Sequence, residues 1–266
     1  NIIGEHTDYA GGRSLAFASE HRLVLEAEFI ASGIHGDETV VALWNEAGGP
    51  PARLEITSSI PIGKGMSSSA ALCLGIVLCV HGDSIDKQAA CLEAQRLEHV
   101  VLGTPCGLLD QMAMMYSTEG HCTVIDCSTF TTTHLPFPSS WTFKLVDSGI
   151  HRSLNSEDYR ETSDNETKRL HVKTENARVE TALHSTREQL GVLLNETHQS
   201  LMAIGVSTPE VDELVQSLQN LTGVLGARMM GGGFGGMILV LVEHEDVLPQ
   251  HPVAVPSRPG FVEELF

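Results

Sequence analysis

The stretch Pro61–Ala71 has the sequence PIGKGMSSSAA and runs directly into the apolar segment Leu72–Val80. Glycines let a backbone come close to an anion, and the N–H groups at a helix start point toward it with the positive end of the helix dipole. Serine hydroxyls can coordinate a hard cation that bridges phosphates. The stretch therefore predicts a nucleotide phosphate site at the beginning of a buried helix over Ser69–Val80.

This loop is not the P-loop of the common NTPases. That motif has the form GxxxxGK[ST], whereas Lys64 stands between Gly63 and Gly65. A flexible surface linker is the simplest alternative, but a linker does not explain why an apolar helix begins at once. The pattern therefore excludes the P-loop motif, but a phosphate-binding role for this loop is still predicted.

Two further glycine-rich segments flank this loop at a distance. Gly4–Tyr9 has the sequence GEHTDY, whose alternating acceptors suit the hydroxyls of a polyol, although a hydrated turn would look the same. Gly231–Gly236 is GGGFGG and satisfies the spacing GxGxxG of dinucleotide sites. Such a site needs a strand before the loop and a helix after it. Here we predict a helix before and a strand after, so we interpret the segment as a close-packing loop beside a ligand.

The composition limits the partners. The chain of 266 residues has 16 basic and 34 acidic residues, giving a formal charge of −18, and no lysine or arginine run. A nucleic-acid partner is not expected, because it would require a concentrated basic surface. No apolar run reaches the roughly 18–20 residues of a membrane helix, so no membrane partner is expected. The six cysteines show no CxxC pair and no zinc spacing, which favours reduced thiols and a cytoplasmic location.

Strands and helices mix along the chain without a regular βαβ rhythm, which favours an α+β fold over a doubly wound sheet. Ser84 is a candidate N-cap, and the Pro-rich segment Pro136–Ser140 is the best candidate for a boundary between two lobes. Strands are predicted over Leu23–Ile30, Arg53–Ile60, His121–Asp126, Phe143–Asp147 and Met237–Val242, and helices over Ser69–Val80, Ser84–Leu102, Gly107–Met115, Glu161–Leu194 and Pro209–Leu221.

Two acidic residues stand in apolar surroundings. Glu98 falls at the edge of the apolar face of its predicted helix, and Asp110 lies among leucines and methionines. A carboxylate in such surroundings is costly unless it has a partner or a function. The two acids and the serines of the loop could form a metal and base constellation, or Glu98 could simply extend to the surface.

The three glycine-rich segments, in this order, resemble the three signature motifs of the GHMP small-molecule kinases. GEHTDY, followed by PCGLLDQ at Pro105–Gln111, resembles the galactokinase branch in particular. The resemblance covers nearly the whole chain. It implies the two-lobed α+β GHMP kinase fold, with an N-terminal lobe like the second domain of ribosomal protein S5 over residues 1–137 and an α+β C-terminal lobe over residues 138–266.

The resemblance also implies roles for individual residues, with ATP as co-substrate and Mg²⁺ as the metal. Asp110 matches the catalytic base of the family. The implied sugar contacts are Glu5, His6, Thr7, Asp8, Gly107 and Tyr159; the implied phosphate loop is Gly63, Lys64, Gly65, Met66, Ser67, Ser68 and Ser69; and the implied Mg²⁺ ligands are Ser69 and Glu98.

The sequence departs from the family pattern at two places. The family has an arginine just upstream of its first motif, whereas this sequence starts at Asn1. We expect the 266-residue chain to bind both substrates but to turn over slowly without that cation, for which Lys64 is the first alternative. Basic residues also usually follow the tyrosine, but here Arg160 leads into the polar, acidic stretch 161–164. This second departure bears on the identity of the sugar.

The expected activity is phosphoryl transfer from ATP to the anomeric hydroxyl of a sugar, most simply galactose, by a monomer. Another GHMP kinase is an alternative, acting on arabinose, N-acetylgalactosamine or a uronic acid, although Glu5 would repel a uronic acid. A galactokinase-like sensor that binds sugar and ATP without turnover is the alternative from a different class. ATP consumption with and without galactose separates these possibilities.

Overall fold

The fold was obtained as a computed structural model, which describes residues 1–150 and 165–264. The strands are β1 Arg13–Ala16, β2 Leu23–Phe29, β3 Ile34–His35, β4 Ala52–Ser58, β5 His121–Asp126, β6 Thr131–Pro136, β7 Thr142–Asp147, β8 Val224–Met229, β9 Met237–Val242 and β10 Val253–Ala254. The helices are α1 Glu38–Glu46, α2 Ser68–His81, α3 Lys87–Val100, α4 Leu109–Tyr116, α5 Asn165–Ala182, α6 Arg187–Ala203 and α7 Pro209–Gln219.

Within residues 1–150 and 165–264 the strands form three sheets. One has the order β1-β5-β6 and is antiparallel, and the second has the order β2-β4-β3, with β3 parallel to β4. The third has the order β10-β7-β9-β8 and is antiparallel throughout. Helices and antiparallel strands are therefore combined in an α+β arrangement, as the sequence predicts.

Helix α2 forms the centre of the N-terminal half. It is apolar almost all round, so it is buried on most of its faces and packs against α3, α4 and β2. Trp44 of α1 and Met112 of α4 are fully buried in the same hydrophobic cluster. The predicted helix Ser69–Val80 is confirmed to within one residue at each end. Its packing fixes the loop that precedes it.

The C-terminal half is built on the four-stranded sheet, with α6 and α7 against β8. Helix α6 crosses β8 at a glycine–glycine contact. A Cβ atom added to Gly226 would lie 2.2 Å from the carbonyl oxygen of Gly191, so no larger residue fits at this crossing. The close contact holds β8, and the loop after it, against the helical layer.

Two predicted helix boundaries are wrong. Helix α3 begins at Lys87, and its N-cap is Asp86, whose carboxylate accepts the backbone N–H groups of Gln88 and Ala89; Ser84 ends a short 3-10 turn instead. The helical region predicted over Glu161–Leu194 is interrupted after α5. Thr186 starts α6 with a reciprocal capping box to Gln189, and α6 continues to Ala203.

The segment before the third glycine loop is also different from the prediction. A helix was expected there, but β8 leads directly into the loop and β9 follows it, so Gly231–Gly236 connects two antiparallel strands. A dinucleotide fingerprint needs a helix after the loop, which is absent here. We therefore keep the interpretation of Gly231–Gly236 as a close-packing loop, because it connects two antiparallel strands and a strand rather than a helix follows it. Among the described residues, no helix has the length and apolarity to cross a bilayer.

Candidate active site

The phosphate loop ends at the N-terminus of α2. Ser67 adopts a left-handed conformation (φ 59°) and Ser68 is the first helical residue. The first N–H groups of a helix have no acceptor within it, and α2 adds its dipole to them. The start of α2 therefore offers backbone donors of the kind that the predicted phosphate loop requires.

The third glycine loop packs backbone to backbone against the phosphate loop. A Cβ atom on Gly231 would lie 2.7 Å from the Cα of Gly65, and the N–H of Met237 donates to the carbonyl of Lys64 at 2.8 Å. The lysine side chain points away from this contact and its Nζ pairs with Asp147 at 2.9 Å. The two loops are thus in direct backbone contact.

A cavity of about 1830 Å³ brings the phosphate loop and the predicted base together. Its lining includes Gly65, Met66 and Ser67 from the loop and Asp110 from the first turn of α4. Asp110 is partly exposed, so a ligand can reach its carboxylate. The predicted base and the predicted phosphate loop therefore share one space.

Ser69 and Glu98 are also brought together, and their oxygens are hard ligands of the kind that Mg²⁺ prefers. The Glu98 side chain is buried and accepts hydrogen bonds from Ser69, Cys106 and Gln111. Burial raises the pKa of Glu98, and the nearby charge of Asp110 adds to this, although the hydrogen bonds act against it. A bound cation would favour the ionised carboxylate, so these residues fit the metal.

Asp8 lies beside the predicted base. Its Oδ2 accepts the N–H of Leu109 at 3.3 Å, and burial, followed by the charge of Asp110, raises the pKa of Asp8 to about 6. A Cβ atom on Gly107 would lie 2.0 Å from the same Oδ2. The aspartate of the first motif therefore packs against a glycine that leaves no space for a side chain.

The other residues of the first motif are largely engaged within the protein. Thr7 is fully buried and its hydroxyl donates to the backbone carbonyls of Gly4 and Arg13. His6 is buried in a left-handed conformation and contacts Tyr9 edge-on. These contacts shape the loop that carries Asp8.

Glu5 makes the strongest contacts of that motif. Its Oε1 lies 3.1 Å from Nη1 of Arg228 and accepts the N–H of Gly231 at 2.8 Å. Burial opposes ionisation of Glu5, but the Arg228 cation, with hydrogen bonds from the Gly231 N–H and the Asn1 side chain, lowers its pKa. Glu5 is therefore an ionised, buried contact to the third glycine loop.

Sequence reasoning missed the polar residues that support the site. Arg228 is fully buried in β8, Glu175 of α5 accepts the N–H of Gly4 at 2.9 Å, and His171 Nε2 lies 2.9 Å from the carbonyl oxygen of Glu5. Arg228 carried no usable signal, because the strand that buries it, β8, was not predicted. No local pattern marks Glu175 or His171. The predicted sugar contact Tyr159 lies outside the described residues.

Comparison with protein families places these features in a class. The sequence matches the GHMP kinases N terminal domain over residues 34–118 and the GHMP kinases C terminal domain over residues 179–250. Residues 1–28 match the galactokinase galactose-binding signature. The fold and the three loops are those of a GHMP kinase.

Relatives refine the class. The galactokinase of Thermotoga maritima is 30% identical over an alignment that covers 91% of this chain and 86% of the relative. The galactokinase of Canis lupus familiaris is 29% identical and covers 91% of this chain and 81% of its own length. The chain therefore belongs to the galactokinase branch of the GHMP kinase family.

Solved structures agree on the fold. The galactokinase of Lactococcus lactis, crystallised with galactose, superposes with a TM-score of 0.84 at 23% identity, covering 97% of this chain and 92% of that one. The mevalonate kinase of Methanococcus jannaschii superposes with a TM-score of 0.74 at 17% identity, covering 97% and 95%. The two-lobed GHMP fold implied by the motifs is thereby confirmed.

Proposed function

We propose that this chain is an ATP-dependent galactose 1-kinase, which converts galactose and ATP into galactose 1-phosphate and ADP. The observation that carries the proposal is the shared cavity. Asp110 lines the same space as the phosphate loop, and Asp8, the acceptor of the first motif, lies beside it. A phosphoryl donor and a sugar hydroxyl can therefore meet at one carboxylate.

In the proposed reaction, Asp110 accepts the proton of the anomeric hydroxyl. The freed oxygen bonds to the γ-phosphorus in line with the leaving group, the bond from that phosphorus to the β–γ bridging oxygen breaks, and ADP departs. The N–H groups at the start of α2 hold the phosphates, and Asp8 accepts hydrogen bonds from the sugar. Positioning and electrostatic stabilisation supply most of the rate enhancement.

We assign the metal site to Ser69 and Glu98. When bound, Mg²⁺ neutralises charge on the phosphates of ATP. Within the sugar site we assign hydrogen bonding to Glu5, His6 and Asp8, close approach to Gly107, and a further contact to Tyr159. The Thr7 hydroxyl is hydrogen-bonded to backbone carbonyls, so we assign Thr7 the role of shaping the loop that carries the sugar contacts.

We also propose the division into lobes at Phe137. The four-stranded sheet lies entirely after it, and the other two sheets lie before it. Cytoplasmic location is proposed on the cysteines, all of which are free in the structure. The monomeric state stays a prediction, which light scattering would test.

Replacement of either metal ligand is expected to weaken Mg²⁺-dependent activity. Glu98→Gln removes a charge and Ser69→Ala removes an oxygen ligand, so both variants should need more Mg²⁺ and should be partly rescued by it. Mg²⁺ titration of ADP release measures this. Asp110→Asn is the control, since added Mg²⁺ should not rescue it. Indifference of both ligand variants to Mg²⁺ would place the metal elsewhere.

Sugar affinity is expected to depend on the ionisation of Asp8. Hydroxyl donors favour the ionised form, and burial and Asp110 raise the pKa of Asp8 to about 6. Affinity should therefore be full above pH 7 and fall below pH 6, reaching a loss of about tenfold at pH 5. Calorimetric titration with galactose from pH 5 to 8 measures the step. Asp8→Asn should remove it; a step that persists in this variant belongs to another group.

Gly107→Ala is expected to disrupt the sugar site. The new methyl group would overlap Asp8 Oδ2, which must move and lose its hydrogen bond from Leu109. We expect a rise of at least about tenfold in the sugar KM, the cost of roughly one displaced hydrogen bond to a charged group. Gly260→Ala is the matched control, because its Cβ would make only ordinary contacts. Equal sugar KM values for the two variants would contradict the assignment.

A further inference from the structure

Arg228 is a fully buried cation, and each of its side-chain nitrogens donates a hydrogen bond. Its Nε donates to the carbonyl of Ile2 at 2.8 Å, its Nη1 donates to the carbonyl of Met229 at 2.7 Å and to Glu5, and its Nη2 donates to the carbonyl of Asn1. Burying a charge is costly even when it is paired, and apolar residues often replace such pairs without loss of stability. Stability alone therefore does not account for an arginine at this position.

The partner of Arg228 belongs to the first motif. Glu5 uses one carboxylate oxygen for both Arg228 and the N–H of Gly231, and its other oxygen accepts from Asn1 at 3.0 Å. Its backbone carbonyl lies 2.9 Å from His171 Nε2. The side chain of Glu5 thus contacts the third glycine loop, and its backbone contacts α5. Glu5 lies three residues before Asp8.

The third glycine loop continues this connection to the nucleotide side. Gly231, which donates to Glu5, lies against Gly65 of the phosphate loop, where a Cβ atom would come within 2.7 Å of its Cα. The path from Glu5 through Gly231 to Gly65 contains only short backbone and side-chain contacts. A continuous path of contacts therefore joins the loop that carries Asp8 to the loop at the start of α2.

We propose that Arg228 and Glu5 form a clamp that sets the sugar loop against the phosphate loop, and that Arg228 is a positioning residue for phosphoryl transfer. This proposal rests on the function proposed above. Arg228 acts through Glu5 and does not itself touch the reacting atoms. In-line transfer needs the attacking oxygen about 3–3.5 Å from phosphorus, and a misplacement of about 1 Å can cost roughly 100-fold in rate. A clamp between the two loops controls that distance.

Arg228→Lys tests the clamp, because lysine keeps the charge and loses the planar fork that reaches Glu5 and three carbonyls. We expect kcat to fall about 10- to 100-fold, with the KM for ATP within about threefold of wild type. Arg178→Lys is the matched control. Arg178 pairs with buried Glu175 at 2.7 Å on α5, and its loss should lower the melting temperature while leaving kcat within about threefold.

A second readout separates positioning from stability. Sugar affinity is measured with and without a non-hydrolysable ATP analogue in wild type, Arg228→Lys and Arg178→Lys. In wild type and in Arg178→Lys the ATP analogue should change the sugar affinity, so the ratio of the two affinities should differ from one. In Arg228→Lys the ratio should approach one, because a loosened clamp uncouples the two sites. If Arg228→Lys does not fold, Glu5→Gln tests the same contact from the other side. Because Glu5 is also assigned to the sugar site, its readout is the ratio of the two sugar affinities, which should likewise approach one.

An unchanged kcat in Arg228→Lys, or a loss of kcat and of melting temperature equal to that of Arg178→Lys, would overturn the clamp. For Glu5→Gln, a ratio of sugar affinities equal to that of wild type would do the same. The wild-type enzyme distinguishes this failure from failure of the proposed function. Turnover of galactose by wild type together with an unaffected Arg228→Lys refutes the clamp alone, whereas absence of turnover in wild type refutes the function on which it rests.

Discussion

Asp110→Asn is expected to lower kcat by about 10²–10⁴-fold, the usual contribution of a positioned general base. The amide keeps the shape of the carboxylate but cannot accept the proton of the anomeric hydroxyl. Asp110 belongs to the first turn of α4, whereas the predicted phosphate loop precedes α2, so the substitution leaves that loop intact. Galactose and ATP should therefore bind within about threefold of wild type, because the lost interaction belongs to the transition state.

Steady-state kinetics and calorimetric binding on the same preparation measure both quantities. Asp86→Asn is the control, since Asp86 caps α3 and asparagine is an equally good N-cap. It should have wild-type kcat. Near-normal turnover by Asp110→Asn would remove Asp110 from its role, and a loss of binding as large as the loss of kcat would make it a ligand instead of a base.

Asp8→Ala is expected to raise the sugar KM by roughly 10- to 150-fold, which corresponds to about 1.5–3 kcal/mol for a hydrogen bond to a charged group. The change removes the acceptor that lies between Gly107 and Leu109. The proposed ATP site is formed by residues other than Asp8, so the KM for ATP should change by less than about threefold.

Asp37→Ala provides the matched control for this substitution. Asp37 caps α1 by accepting the N–H groups of Thr39 and Val40, so its loss should cost about 1 kcal/mol of stability without changing either KM. Initial-rate measurements over both substrates separate the effects. An equal rise in both KM values for Asp8→Ala would show that the first motif does not form the sugar site.

Local patterns predicted the elements whose burial follows their own sequence. β5 and β9 agree with the prediction at both ends, and α2 agrees to within one residue. β8 was missed because Val224–Met229 contains a glycine and an arginine and lacks alternation; its position is set by pairing with β9 and by the close approach of α6. The break between α5 and α6 had a local signal, the capping box at Thr186, which the helical periodicity obscured.

For the proposed site, the sequence carried a signal where glycine and serine patterns occur. Gly65 and Gly231 occur in recognisable loops, but only the fold shows that their backbones touch. The partner of Glu5 was not predictable, because Arg228 is 223 residues away and its burial contradicts its polarity. Long-range ion pairs of this kind leave no periodic signal, so the sequence indicated candidate ligands but not the buried residues that contact them.

Galactose-dependent ADP release by the 266-residue chain, measured across a panel of sugars with Asp110→Asn as the inactive control, tests the proposed activity most directly. We predict ADP release with galactose and ATP together, little release with ATP alone, and a product phosphorylated at the anomeric oxygen. Higher kcat/KM for arabinose or N-acetylgalactosamine would reassign the sugar. Binding of both galactose and ATP with no ADP release above that of Asp110→Asn would contradict the kinase assignment and indicate a sensor.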